Sequence, residues 1–178
     1  MERLKPQKYL PFPLNSISKT FILMFKTLIR MRVPIEPISH NAKTQDFDLV
    51  ILAGPTWSYN PSGPILSFLD VYGTSVLKGM RVLPLISCRS YWRSHLYYLK
   101  KRINACGADC ISPWIFNHKA REPWKTLGVF FTVAGKNPRH VPVLKNHYRR
   151  YGHTKEQIRE ARQKAKELAQ RIKQASIV

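Results

Sequence analysis

Two short stretches hold most of the residues that could do chemistry. Gly54-Pro-Thr-Trp-Ser-Tyr-Asn-Pro61 and Ser87-Cys-Arg-Ser-Tyr-Trp92 each place two aromatics among small polar side chains. Trp57, Tyr59, Tyr91 and Trp92 offer broad flat faces, and Thr56, Ser58, Asn60, Ser87 and Ser90 offer hydroxyls and an amide. Side by side, such loops could sandwich a flat heterocycle and fix it with a few hydrogen bonds. Aromatics at these positions can also simply cap the apolar end of a sheet, and both readings stay open at this level.

Other reactive groups carry less. Cys88 and His95 could serve as a thiol and its base, but Cys88 reads more simply as a small buried residue at a strand end. Cys106 and Cys110 have no second pair to complete a four-ligand site, so no metal is expected. Arg89 and Arg93 fall near a helix start, where the dipole disfavours cations unless an anion is close. His140, His147 and His153, among Arg139, Arg149 and Arg150, read as solvated or as anion contacts.

The elements that position these loops follow from hydrophobic patterning. Asp48-Leu-Val-Ile-Leu52 is continuously apolar after its first residue and stops at Ala53-Gly54-Pro55, as a strand covered on both faces would. Arg81 to Ile86 repeats the pattern, with Pro84 removing one ladder donor. Asp109 to Phe116 is a third, weaker run broken by Pro113. Between the first two, Pro64 suits a first helical turn, and Ile65, Phe68, Leu69 and Tyr72 share one face before Gly73. Between the second and third, Trp92, Leu96, Leu99 and Ile103 mark a helix ending before Gly107. This alternation predicts βαβ units and a parallel sheet.

At the C-terminus, Thr154-Lys-Glu-Gln157 is a capping box, followed by an apolar stripe of Ile158, Ala161, Ala165, Leu168 and Ile172 that should dock on the sheet. Near the N-terminus, Leu10-Pro-Phe-Pro-Leu14 is a stiff extended stretch. It leads to Ile17–Arg32, an apolar helix with cationic edges that is expected to cover a core, although such a helix can also lie at a membrane interface. Arg32-Val-Pro-Ile-Glu-Pro37 reads as a Pro-stiffened linker.

The chain has 178 residues, of which 44% are hydrophobic, so one domain with a sizeable core is expected over 1–178. Its parts are an irregular and helical segment (1–45), a βαβ core (46–135), and a basic linker with the C-terminal helix (136–178). This composition excludes a disordered tail, and no apolar run reaches the roughly 20 residues of a membrane span. Thirty Lys and Arg against ten Asp and Glu give a net charge of +20. An acidic partner protein, a polyanion or an anionic membrane surface could all be met loosely, without specific nucleic-acid recognition. The start has no secretory apolar core, and cysteines are few, which together point to the cytoplasm, with peripheral membrane contact open.

The run Asp48-Leu-Val-Ile-Leu-Ala-Gly-Pro-Thr-Trp-Ser-Tyr-Asn-Pro-Ser-Gly-Pro-Ile-Leu-Ser-Phe-Leu69 resembles the third strand, flavin loop and following helix of the flavodoxin-like family. Leu77-Lys-Gly-Met-Arg-Val-Leu-Pro-Leu-Ile-Ser-Cys-Arg-Ser-Tyr-Trp92 is similar to its fourth strand and second flavin loop. The resemblance covers Asp46 to Ala108 well and the segment from Lys136 onward, with Tyr148-Arg-Arg-Tyr-Gly-His153, more loosely.

The resemblance implies an α/β three-layer sandwich with a mostly parallel sheet, flavin mononucleotide (FMN) as cofactor, and a role as electron carrier or flavin-dependent oxidoreductase. Thr56, Trp57, Ser58, Tyr59, Asn60, Ser87, Cys88, Arg89, Ser90, Tyr91 and Trp92 would flank the flavin ring, with Trp57, Tyr59 or Tyr91 stacking on it. The cofactor chemistry would need no catalytic acid or base from the protein.

No segment resembles the family's first strand and its Ser/Thr/Gly phosphate loop. Met1-Glu-Arg-Leu-Lys-Pro-Gln-Lys8 aligns with what would be the family's second strand, so the expected fold is N-terminally incomplete. The cofactor site would be weakened, and the Asp48 strand would have an open edge unless Glu2–Lys5 crossed over to pair with it. A start assigned too late or a specialised form would each account for this.

Overall fold

A computed structural model describes residues 1–8, 11–44, 47–118, 121–148 and 152–175. Leu10, Asp46, Arg149, Arg150 and Tyr151, which figure in the sequence reading, lie outside them. The elements run α1 (Ile17–Leu28), α2 (His40–Thr44), β1 (Val50–Trp57), β2 (Asn60–Pro61), α3 (Gly63–Val71), α4 (Gly73–Leu77), β3 (Arg81–Cys88), α5 (Trp92–Ala105), β4 (Asp109–Cys110), β5 (Trp114–Asn117), α6 (Trp124–Val133) and α7 (Lys155–Ala175), with a 3-10 turn at Pro138–His140.

The molecule is an α/β structure with a mixed, mostly parallel sheet in the order β2-β1-β3-β4, and β5 also pairs with β3. β1 and β3 are parallel, with Val50 opposite Val82 and Pro55 opposite Ser87. On its other side β3 meets β4 at Arg81–Val82 and β5 at Leu85–Cys88. The third apolar run is therefore one strand path interrupted at Ile111–Pro113.

That interruption accounts for a proline in a central strand. The Val82 carbonyl accepts from the Ile111 amide at 2.9 Å. Strand period two then points the absent N–H of Pro84 to the same side, at the break, where no partner waits for it.

One sheet face carries Val50, Leu52 and Gly54 of β1 with Val82, Pro84 and Ile86 of β3. Leu52 and Val82 join Ile65, Phe68 and Leu69 of α3 and Leu99 and Ile103 of α5 in the main core. Gly54 permits a close approach, since a Cβ there would come within 3.0 Å of Ile65 Cγ1. The crossover helices thus fall where the periodicity puts them.

The opposite face is covered unevenly. Leu83 and Phe116 are buried, whereas Ile51 is 46% exposed and Ala53 and Pro55 are open. The expectation that the Asp48 strand is covered on both faces is corrected here. Along Val50–Pro55 the outer edge of β1 has no backbone partner among the described residues, because β2 reaches only Thr56 and Trp57. The crossing by Glu2–Lys5 does not occur, since Pro6 bridges antiparallel to Ile35, with Gln7 N–H donating to Pro34 and Glu36 N–H to Lys5. The segment aligned with a second strand is thus not a strand of the sheet. Val33, Ile35 and Ile38 are buried, so the Pro-rich linker contributes to the core.

α7 begins with the capping box in both directions: Thr154 N–H to Gln157 Oε1 at 3.0 Å, and Gln157 N–H to Thr154 Oγ1 at 3.2 Å. Gln157 Nε2 also donates to the Asn117 carbonyl at 2.7 Å, tying the helix start to the end of β5. Its Ala165, Leu168 and Ile172 line a cavity of about 350 Å³ with Ile51 and Trp114, so the stripe leans toward the sheet without filling the space.

α1 departs from expectation. It buries Thr20 and Thr27 and leaves Phe21, Ile22, Phe25, Leu28 and Ile29 exposed, so its apolar face does not cover the core. The polar side is the one that fits: each threonine hydroxyl donates to a carbonyl of its own helix segment, Thr20 to Ser16 and Thr27 to Met24, and Thr27 Oγ1 also meets Ser58 Oγ at 2.6 Å.

Candidate functional site

β1 and β3 end side by side, and the two aromatic loops project together from their carboxyl ends, where open α/β sheets bind ligands. The first loop is the two-residue connection of the β1–β2 hairpin. Ser58 (φ 41°) and Tyr59 (φ 71°) are both left-handed, as a type I′ turn requires, yet neither is Gly or Asn. In the second loop Tyr91 (φ 56°) occupies the N-cap of α5, where Ser, Thr, Asp or Asn would be usual. Three strained non-glycine residues in two facing loops are the kind of outlier that gathers at ligand clamps, each costing on the order of 1–3 kcal/mol.

These conformations bring Tyr59 and Tyr91 together. Their centroids are 5.1 Å apart at an interplanar angle of 63°, with exposures of 42% and 47%. The rings touch edge to face, so there is no slot between them as they stand. Sandwiching between the two loops gives way to a paired aromatic lip with open ring faces. The Arg89 guanidinium lies 5.9 Å from the Tyr91 centroid, and that of Arg93 lies 5.2 Å from Trp92. Arg89 Nε is buried without a hydrogen-bond partner among the described residues, a donor at the lip in need of an acceptor.

The remaining sequence candidates sit around and beneath the lip. Trp57 and Ser90 are half-buried. Asn60 faces inward, with Nδ2 donating to the carbonyls of Thr27, Leu28 and Ser58 at 2.9–3.1 Å and Oδ1 accepting from Arg30 Nε at 3.1 Å. Ser58 Oγ meets Thr27 Oγ1 at 2.6 Å. Asn60 is thus the latch between the turn and the end of α1.

Below the lip, Thr56 Oγ1 bonds His95 Nδ1 at 2.8 Å, and burial holds the imidazole pKa down to about 4, keeping it neutral. Cys88 Sγ donates to Asn117 Oδ1 at 2.6 Å, and burial pushes the thiol up to about 11. Cys88 and His95 therefore bond to different partners, and burial keeps Cys88 a thiol rather than the thiolate a nucleophile needs.

Three contributors were not legible as site residues. His153 Nε2 meets Ser87 Oγ at 2.9 Å and packs edge-on to Phe116, closing the site from the α7 side. Asn117 holds Cys88, and Arg30 stacks over Tyr98 at 4.1 Å while holding Asn60. The strand-end position of Asn117 and the place of His153 in the Tyr148-Arg-Arg-Tyr-Gly-His153 run were the signals in the sequence. His147, read as solvated, is exposed but stacked on Trp124 at 4.3 Å.

No family model matches the chain, and no curated protein matches it. Among solved structures it is similar to the flavoprotein in complex with FMN from Lactobacillus acidophilus NCFM, at 13% identity over 64% of this chain and 72% of that one, with a TM-score of 0.46. It is also similar to a protein described as a flavoprotein from Bacteroides eggerthii DSM 20697, at 20% identity over 74% of this chain and 78% of that one, with a TM-score of 0.48.

Proposed function

We propose that the chain binds flavin mononucleotide at the Tyr59–Tyr91 lip and serves in electron transfer or flavin-dependent oxidoreduction. The observation that carries this is the pair of exposed tyrosines, held in contact by three left-handed residues at the carboxyl ends of adjacent parallel strands. Strain kept in place to present two aromatic faces supports a planar ligand better than it supports a mere cap.

The residues present fit the ring. An open Tyr59 or Tyr91 face supplies stacking, Ser90 supplies a hydroxyl, and Arg89 Nε supplies an unpartnered donor suited to a ring carbonyl or a phosphate oxygen. When bound, the flavin would supply the redox chemistry. Of the candidate acid–base groups, His95 and Cys88 are turned to Thr56 and Asn117. The charge of +20 supports an acidic redox partner in the cytoplasm.

Flavin fluorescence titration tests the reading. Added FMN should be quenched, and Tyr91→Ala should weaken binding about tenfold, the scale of one stacking contact. Tyr59→Gly should weaken binding similarly while raising stability by about 1 kcal/mol, because glycine accepts φ 71° without strain. Absence of quenching, or unchanged affinity in both variants, would overturn it.

A further inference from the structure

α1 is turned inside out for a helix packed on a protein. Phe21, Ile22, Phe25 and Ile29 are 56–63% exposed, while the face against the molecule is built on Thr20 and Thr27. The four apolar residues share one side of the helix. Lys19 and Lys26, three residues before and four after Ile22, flank that side. The patch continues onto α6, where Phe130 stands 5.0 Å from Phe21 and Leu127 is exposed, and the Leu14 amide joins the two segments by donating to the Val133 carbonyl at 2.9 Å. Contiguous apolar surface of this kind marks an interaction site.

The charge around the patch identifies the partner. From Arg3 to Ile35 the chain has seven Lys or Arg and no Asp or Glu, and from Pro123 to Thr154 its Lys and Arg again stand without a carboxylate. Both segments that carry the exposed apolar side chains are therefore free of carboxylates. A second copy would bring the same lysines against these, in a chain already at +20, and like charges oppose that contact. An anionic bilayer satisfies both features, taking the phenylalanines and isoleucines into the acyl boundary while the lysines reach phospholipid headgroups. α1 has 12 residues, about 18 Å at 1.5 Å per residue, and no described helix is long and apolar enough to cross a membrane. The fitting mode is lying in the interface.

We infer that α1, with the adjoining edge of α6, is an interfacial membrane anchor that seats the protein on anionic lipid. The contact stands apart from the flavin reading, although the Thr27–Ser58 and Asn60 bonds place the anchor directly beside the Ser58–Tyr59 turn.

Flotation of the full chain with vesicles of phosphatidylcholine alone, or with about 30% phosphatidylglycerol, measures the binding. Capture should need the anionic lipid, and Phe25→Ser/Ile29→Ser should reduce it about tenfold with net charge unchanged. Because a +20 protein can also adsorb by charge alone, insertion is read separately. In Phe25→Trp the introduced indole should shift its emission to the blue on binding and be quenched by brominated acyl chains. Two results would overturn the anchor. One is capture unaffected by the serine variant with no quenching of the introduced indole. The other is a dimer at vesicle-assay concentrations that the serine variant dissolves, which would make the patch a self-interface.

Discussion

His95 shows how one buried side chain sets a pH dependence for the whole fold. The imidazole is 2% exposed, its charged form has no compensating carboxylate, and burial lowers its pKa to about 4. The unfolded chain takes up a proton near pH 6.5, which the native state refuses until about pH 4, so between those values the unfolded state binds more protons. Stability therefore rises as pH increases from about 4 to 6.5 and is flat above. At 1.36 kcal/mol per unit the rise is about 3 kcal/mol. Urea denaturation across that range should show it, and His95→Gln, which can still reach Thr56, should flatten it. A slope undiminished in the variant would assign the dependence to other groups.

At the scale of elements, Asn60 joins the aromatic turn to α1. Its amide donates to the Thr27 and Leu28 carbonyls, both in the last turn of α1, where carbonyls run out of intrahelical i+4 donors. Asn60→Ala should cost about 2–3 kcal/mol, since it takes the side-chain donor from the Leu28 and Ser58 carbonyls, and one of two donors from that of Thr27, around a residue that is itself 3% exposed. Amide exchange in α1 should then accelerate more than exchange in β3. Equal acceleration in both would mean that the latch acts on global stability alone.

The same elements show what the sequence could and could not reveal. Thr154–Gln157 was legible because its two bonds close within four residues, and α3 and α5 were legible because their buried positions repeat at helical spacing. α1 was misread because apolar content announces a face to be covered without saying what covers it. Asn60 looked like a ligand contact because its partners lie 32 and 33 residues away and have no local signature. Pro84 argued against a central strand only until the neighbouring strand proved to be broken opposite it. The two aromatic loops were found at the right strand ends, but the contact between their tyrosines depends on left-handed backbone that nothing in Ser58, Tyr59 or Tyr91 advertises.

At the scale of the molecule, salt should move two kinds of association in opposite directions. The outer edge of β1 along Val50–Pro55 presents backbone groups with no partner among the described residues, beside the exposed Ile51, a template for another strand. Pairing two such edges brings together chains of +20, so repulsion should keep the protein monomeric at low ionic strength. Near 0.5 M salt, with a Debye length of roughly 4 Å, that protection fades and edge-to-edge pairing should grow. Affinity for heparin or duplex DNA should meanwhile fall steeply and without sequence preference, because counterion release drives it. Hydrogen exchange locates the contact. In the low-salt monomer, alternate amides between Val50 and Gly54 point toward β3 and exchange slowly, while the intervening ones point outward and exchange fast. On association the outward set alone should become protected. Slow exchange of the outward set in a low-salt monomer would show the edge already closed, and association that does not grow with salt would show that charge is not what holds the copies apart.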